Sequence, residues 1–190
     1  LMFCLRSITR SRQHRLVLAF YWSLVFATGL AWLRRDLSTP PEPITLDLLL
    51  PSFLMMSFAI LGLRGVFSLP ISLRANWLLR LTQLRPTEKY AAATRSAMLL
   101  FGAAPVWAIC AALSLHFRPW SQVAEHLTFL ALLGFVLVEL SLIRFDKVPF
   151  TCSYLPGKTN VQVLFWGFAL VSLMLAFLLA TYELLALKNA

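Results

Sequence analysis

Five apolar stretches, each long enough or nearly long enough to cross a membrane as a helix, constrain this chain more than any other feature. They cover residues 16–33, 44–63, 96–115, 127–143 and 161–182. A helix needs about 20 mostly apolar residues to span a hydrocarbon core of about 30 Å. The sequence therefore predicts an all-α fold, a polytopic membrane bundle of about five transmembrane helices that forms a single domain over residues 1–190. The first residue is Leu1 rather than Met, which leaves room for a longer natural chain.

The charged residues fall mainly between these stretches and predict an orientation. The chain has 17 Lys plus Arg and 8 Asp plus Glu, a formal net charge of +9. Most of the basic residues precede the first stretch, separate the second from the third, or separate the fourth from the fifth. The positive-inside rule places these segments in the cytoplasm. We therefore expect a cytoplasmic N-terminus, an external C-terminus, a bacterial inner membrane, and anionic lipid rather than nucleic acid as the partner of the basic side.

The segment 64–95 is the longest polar one and predicts a cytoplasmic amphipathic helix at the membrane interface. Its apolar residues recur at helical spacing, and arginines flank that stripe: Leu73, Trp77, Leu81 and Leu84, with Arg74, Arg80 and Arg85. Pro86 ends this helix, and Thr87 caps a second helix that runs into the third stretch. Two interpretations stay open: a connector that lies on the lipid surface, or a docking helix for a cytoplasmic ATPase or another subunit.

The segment 147–158 joins the fourth and fifth stretches and contains two prolines and a glycine. Pro156 followed by Gly157 is typical of a type II turn. We interpret the segment as a shaped connector in which Cys152 and Tyr154 form a candidate lipid or partner surface. A nucleophilic role for Cys152 is disfavoured because no histidine stands nearby in sequence, and palmitoylation is the other alternative.

Three residues inside the stretches are candidates for function. Glu139 is costly in lipid unless it is paired or neutral, and Arg95 and Arg144 are its candidate partners. The pair is expected to be structural, with proton or substrate handling as the alternative. Gly102 and Pro105 predict a kink, which serves either close packing or a cavity.

No metal, cofactor or catalytic residue is expected from the sequence. Cys4, Cys110 and Cys152 are far apart and form no CxxC pair, and the histidines have no HxxxH spacing. His116 and His126 are interpreted as polar residues at the outer interface, where Trp32 and Trp120 would form an aromatic belt.

These features favour a permease-like transport component, or a fragment of one, that docks a cytoplasmic ATPase through the segment 64–95. The alternative is a non-catalytic scaffold or assembly subunit. A membrane enzyme is disfavoured because the sequence shows no convergent set of acids, histidines or paired cysteines. Convergence of Glu139, Gly102 and Pro105 on a wet cavity would favour transport. A Glu139 tied to Arg95 or Arg144 in a dry seam would favour the scaffold.

Overall fold

The computed structural model describes residues 6, 10–38, 46–69, 87–118, 120–143 and 161–189, and nearly all of these are helical. We number the α-helices in chain order and call the short π-helix the π segment. The elements are α1 (Arg12–Ser38), α2 (Leu46–Ser68), α3 (Thr87–Met98), the π segment (Leu99–Ala103), α4 (Ala104–Phe117), α5 (Trp120–Leu142) and α6 (Val161–Asn189).

Five of the described helical stretches are long and apolar enough to cross a membrane, and α3, the π segment and α4 form one of them. The predicted all-α membrane bundle is therefore confirmed, and the chain is an integral membrane protein. The predicted helix ends need correction in several places. α2 continues to Ser68 and includes Arg64, whereas the sequence placed Arg64 in the following loop. The extension is favoured because Val66 and Phe67 continue the buried face of α2.

The helices alternate in direction, as successive membrane crossings require. On α1, His14 contacts Leu69 just after α2, and Tyr21 contacts Gly62 within α2. Residues later in α1 therefore contact residues earlier in α2, so the two helices are antiparallel. Phe53 meets His126 and Arg64 meets Ser141, so α2 and α5 run parallel. We call the end of the bundle where α1 begins the N-terminal end, and the opposite end, where α6 finishes, the C-terminal end.

α2 is the central helix and packs against each of the other long helices. Its buried side chains, including Phe53, Met56 and Ile60, form the middle of the hydrophobic core. Two buried serines of α2 satisfy their hydroxyl groups within the helix: Ser52 Oγ donates to the Leu49 carbonyl and Ser57 Oγ to that of Phe53. Most of the outward apolar surface lies on α1 and α6, as expected for helices that face lipid.

α1 is joined to α2 by close packing and by one histidine. Gly62 allows the approach, because a Cβ at this position would lie 2.5 Å from Tyr21 Cβ. At the N-terminal end His14 is fully buried, with Nδ1 2.6 Å from Ser11 Oγ and Nε2 3.1 Å from the Leu69 carbonyl oxygen. His14 Nε2 therefore joins the start of α1 to the residue that follows α2, and Nδ1 contacts Ser11 just before α1.

Candidate functional site

A buried acid–histidine pair connects α5 and α6 at the C-terminal end. His126 Nδ1 lies 2.8 Å from Glu183 Oε1, and the two side chains are only 4% and 5% exposed. His126 comes less than two turns after the start of α5, and Glu183 lies in the last turns of α6. Because α5 and α6 both pack against α2, their side chains converge over that central helix. The arrangement brings two titratable groups together inside an apolar bundle.

The surroundings of the pair are aromatic and aliphatic. The ring of the buried Phe53 stands edge-on to the His126 ring, with centroids 5.7 Å apart and planes at 62°. Leu130, one turn beyond His126, and Ala180, one turn before Glu183, are fully buried. In such surroundings charges interact strongly with each other and are costly to leave alone.

Each member of the pair has a second polar atom with no described partner. His126 Nε2 and Glu183 Oε2 are buried and make no hydrogen bond among the residues that the structure describes. The same holds for two more buried atoms at this end of the bundle, Trp32 Nε1 and Ser114 Oγ. Buried polar groups are normally hydrogen-bonded. Four buried polar atoms at this end of the bundle are therefore able to form hydrogen bonds that the described residues do not supply.

The sequence interpretation missed this pair. His126 was assigned to the interface and Trp32 to an aromatic belt, but both are buried. His126 stands one residue before the predicted fourth stretch and Glu183 one residue after the fifth, whereas α5 begins at Trp120 and α6 continues to Asn189. The usable signal was the apolar sequence beyond each residue, such as Leu184 and Leu185 after Glu183.

A second ion pair connects α3 and α5 at the N-terminal end and joins two of the predicted residues. Arg95 Nε is 2.6 Å from Glu139 Oε1, and Arg95 Nη2 donates to Glu139 Oε2 at 3.0 Å. This two-pronged geometry is typical of strong arginine–carboxylate contacts. The side chains are 45% and 35% exposed, so the pair lies at the surface of the described bundle rather than in a dry seam or a closed cavity. Arg144, the other candidate partner, lies outside the described residues.

Arg64 makes a further polar connection at the N-terminal end. Its Nε donates to the Ser141 carbonyl oxygen at 2.8 Å, and its Nη1 donates to Ser68 Oγ. The first bond joins the last turns of α2 to the last turn of α5. Three polar contacts thus join helices at the N-terminal end. His14 joins α1 to the end of α2, Arg64 joins α2 to α5, and the Arg95–Glu139 pair joins α3 to α5.

Gly102 lies within an irregular turn of the third span, and Pro105 follows that turn. Pro105 has no N–H to donate, which interrupts the regular hydrogen bonding of the preceding turn. The π segment absorbs this interruption, and the Ala104 N–H bonds the Leu99 carbonyl five residues back. Gly102 is buried against α2, where an added Cβ would lie 2.8 Å from Leu63 Cδ1. The structure thus shows a π segment at the position of the predicted kink and packs Gly102 against α2.

The remaining candidates fall outside the described residues: Arg74, Trp77, Arg80, Arg85, Cys152 and Tyr154. Among the residues that are described, no group of three histidine, cysteine or acidic side chains is placed to hold a metal ion. Fold and site together define an integral membrane helix bundle with one deeply buried acid–histidine pair. No protein-family model matches the chain, and neither does any curated protein or solved structure.

Proposed function

We propose that this chain is a permease-like transport component, embedded in a bacterial inner membrane with its N-terminus in the cytoplasm and its C-terminus outside. The observation that carries the proposal is the buried His126–Glu183 pair. Ionisable residues inside membrane bundles are rare and costly, and they commonly mark ion or substrate pathways. In the proposed orientation the pair lies towards the external side.

Stability alone gives little reason for such a pair. Burying two charged groups removes their hydration, and apolar residues of similar volume hold a core together equally well or better. The atoms His126 Nε2 and Glu183 Oε2 add to this argument, because a purely structural pair would normally have its remaining polar atoms satisfied. A group that enters from water would satisfy them, and transport requires such entry.

The π segment gives independent support. Turns of this type inside α-helices are often found at functional sites, and here the irregular turn packs directly against the central helix through Gly102.

A scaffold or assembly subunit is the second candidate, and specific contacts favour it. Glu139 is bound to Arg95 at the surface of the described bundle, and Gly102 packs against Leu63 of α2, as expected for a structural role of these residues. The transport proposal therefore does not rest on Glu139. The scaffold candidate gives no role to His126 Nε2 and Glu183 Oε2, which have no partner within the described part of the chain.

We extend the proposal to the cytoplasmic side, where anionic lipids would contact the basic segments and a cytoplasmic ATPase or another subunit would dock on residues 64–95. Charge reversal at Arg74 and Arg80 tests the docking. Loss of a co-purifying ATPase supports it, and an unchanged set of partners contradicts it. The orientation is tested by labelling with an impermeant thiol reagent. Ser121→Cys should react from outside and Thr159→Cys only after permeabilisation, and the reverse pattern refutes the orientation.

Water access to the buried pair distinguishes transport from a scaffold without knowledge of the substrate. Ala180 is fully buried and lies on the Glu183 face of α6. The native cysteines Cys4, Cys110 and Cys152 are first replaced. If transport opens a water path to the pair, Ala180→Cys should react with a charged methanethiosulfonate in membrane vesicles, because thiols react as thiolates in water. Ala59→Cys, equally buried in the core of α2, is the matched control and should stay unlabelled. Equal protection of both positions would favour the scaffold.

A further inference from the structure

We propose that the His126–Glu183 pair is a one-proton exchange site, which would make the proton the coupling ion of the transport proposed above. This inference rests on that proposed function for its biological role, but it concerns a chemical property of the pair that is measured separately. Its basis is the geometry of the pair: a 2.8 Å contact, nearly complete burial, and on each side chain one polar atom without a partner among the described residues.

The contact limits the forms that the pair can take. With Glu183 ionised, the short contact requires a proton on His126 Nδ1, which then donates to Glu183 Oε1. His126 Nε2 is left with either a lone pair or a proton. In the first form the histidine is neutral and the pair carries a net charge of minus one. In the second form the histidine is an imidazolium and the pair is neutral overall.

Exchange between these forms moves one proton and changes nothing else covalently. A proton from water forms an N–H bond at His126 Nε2, or an O–H bond at Glu183 Oε2 if the charges of the pair rearrange. Its departure to water reverses the step. Both atoms are the ones that have no described hydrogen-bond partner, so the Nδ1–Oε1 contact between α5 and α6 can persist throughout. The net charge inside the bundle then switches by one unit.

A metal ion is a weaker match to the site than a proton. Two protein ligands are too few for a typical zinc site, which has three or four. Among the described residues no third histidine, cysteine or acidic side chain joins the pair to make such a cluster. The neighbouring Phe53 ring offers an apolar edge rather than a lone pair.

Other charged or titratable groups near this end belong to the same helices and to their neighbours. Beside the pair on α5 and α6 stand Glu125 and Tyr182, and both are exposed. The third span ends with the exposed His116, followed by the half-buried Arg118. The side chain of Asp47 on α2 lies outside the described set. These groups carry or can carry charge near the pair. The test must therefore resolve the signal of His126 itself.

Nitrogen NMR of the histidine rings measures the exchange directly. The full-length chain, labelled with ¹⁵N-histidine, is placed in nanodiscs of phosphatidylethanolamine and phosphatidylglycerol and titrated from about pH 5 to pH 9, the range in which histidines commonly titrate. His126→Gln assigns the signal. We expect His126 to pass reversibly between a one-proton and a two-proton ring. Glu183→Gln should move this transition, since a charge in direct contact with the ring is removed.

The two other histidines are internal controls in the same spectrum. His116 is exposed and lies on the third span, so its signal should not change when Glu183 is replaced, whereas His14 has partners at both ring nitrogens. A His126 ring that keeps one form over the whole range overturns the proposal, and so does a transition that Glu183→Gln leaves unchanged. If Glu183→Gln does not fold, Glu183→Asp replaces it. This variant keeps the charge but shortens its reach to Nδ1, so a smaller displacement of the transition is expected, and an unchanged transition overturns the proposal.

The outcomes separate this inference from the proposed function. Labelling of Ala180→Cys together with a ring that does not titrate would keep transport and reject the proton as coupling ion. A titrating ring without labelling of Ala180→Cys would keep the exchange site and contradict transport.

Discussion

Replacement of Gly62 by alanine tests the contact between α1 and α2 most directly. The new Cβ would lie 2.5 Å from Tyr21 Cβ. Ordinary contact between carbon atoms is about 3.5–4.0 Å, so the two helices must move apart by roughly 1 Å. Tyr21 cannot avoid this by a rotamer change, because its Cβ is bonded directly to the backbone. The separation loosens the packing of α1 against the centre of the bundle.

The expected cost is that of overpacking, about 1–3 kcal/mol. It is partly offset by the better helix propensity of alanine, roughly 1 kcal/mol over glycine. Gly65→Ala is the matched control one turn away on the same helix, because its new Cβ would have nothing within 4 Å. The control gains the propensity without the clash. Both variants gain the propensity, so they differ by the overpacking cost alone. Since 1 kcal/mol corresponds to about 2–4 °C for a chain of 150–250 residues, we expect Gly62→Ala to unfold about 2–12 °C below Gly65→Ala.

A thiol-reactive fluorogenic dye measures this difference in detergent. Cys110 is buried and becomes reactive when the bundle opens, so Cys4 and Cys152 are first replaced by serine. Equal unfolding temperatures for Gly62→Ala and Gly65→Ala would refute the reasoning, because they would mean that α1 does not approach α2 at Gly62. Loss of folded protein only in Gly62→Ala would agree with a larger cost of the same origin.

Three further substitutions separate buried from exposed interactions in the same assay. Glu183→Ala should lower the free energy of unfolding by about 3 kcal/mol or more, because it leaves His126 without its buried partner. Replacing both His126 and Glu183 by leucine should recover most of that loss, and a double variant as unstable as Glu183→Ala would contradict this expectation. Glu139→Gln should cost less than about 1 kcal/mol, because its pair with Arg95 is partly exposed; a loss as large as that of Glu183→Ala would show that the pair is buried. Gly102→Ala should cost about 1 kcal/mol or less, since it meets the flexible end of a leucine, and a larger loss than for Gly62→Ala would reverse this order.

The sequence predicted the membrane crossings well because hydropathy is a local property. A run of about 20 apolar residues is a sufficient signal for a spanning helix. The Arg95–Glu139 contact was also accessible, since a carboxylate near the end of a span needs a partner and few cations lie at the same level. In both cases the reasoning required only the depth of a residue in the membrane, which can be counted along the chain.

The rotational orientation of the helices could not be predicted in this way. The spans are apolar all round, so no polar face shows which side of α1 meets α2, and the close approach at Gly62 has no signature in hydropathy. The same limitation explains Trp32, which has the composition of an interfacial belt residue but is turned inward. The depth of a residue in the membrane was predictable from composition. Which side of a helix faces its neighbours is decided by packing.

Burial, rather than distance, separates the roles of the two ion pairs. Their shortest contacts are similar, 2.6 Å for Arg95–Glu139 and 2.8 Å for His126–Glu183. Where side chains lie near the end of the bundle and are a third or more uncovered by protein, a permanent charge on each partner costs less than in the interior. Where the side chains are nearly inaccessible, a net charge is costly, and only a partner that can gain or lose a proton lets the site change its charge. Histidine suits the buried position for this reason, and the always-charged arginine suits the exposed one.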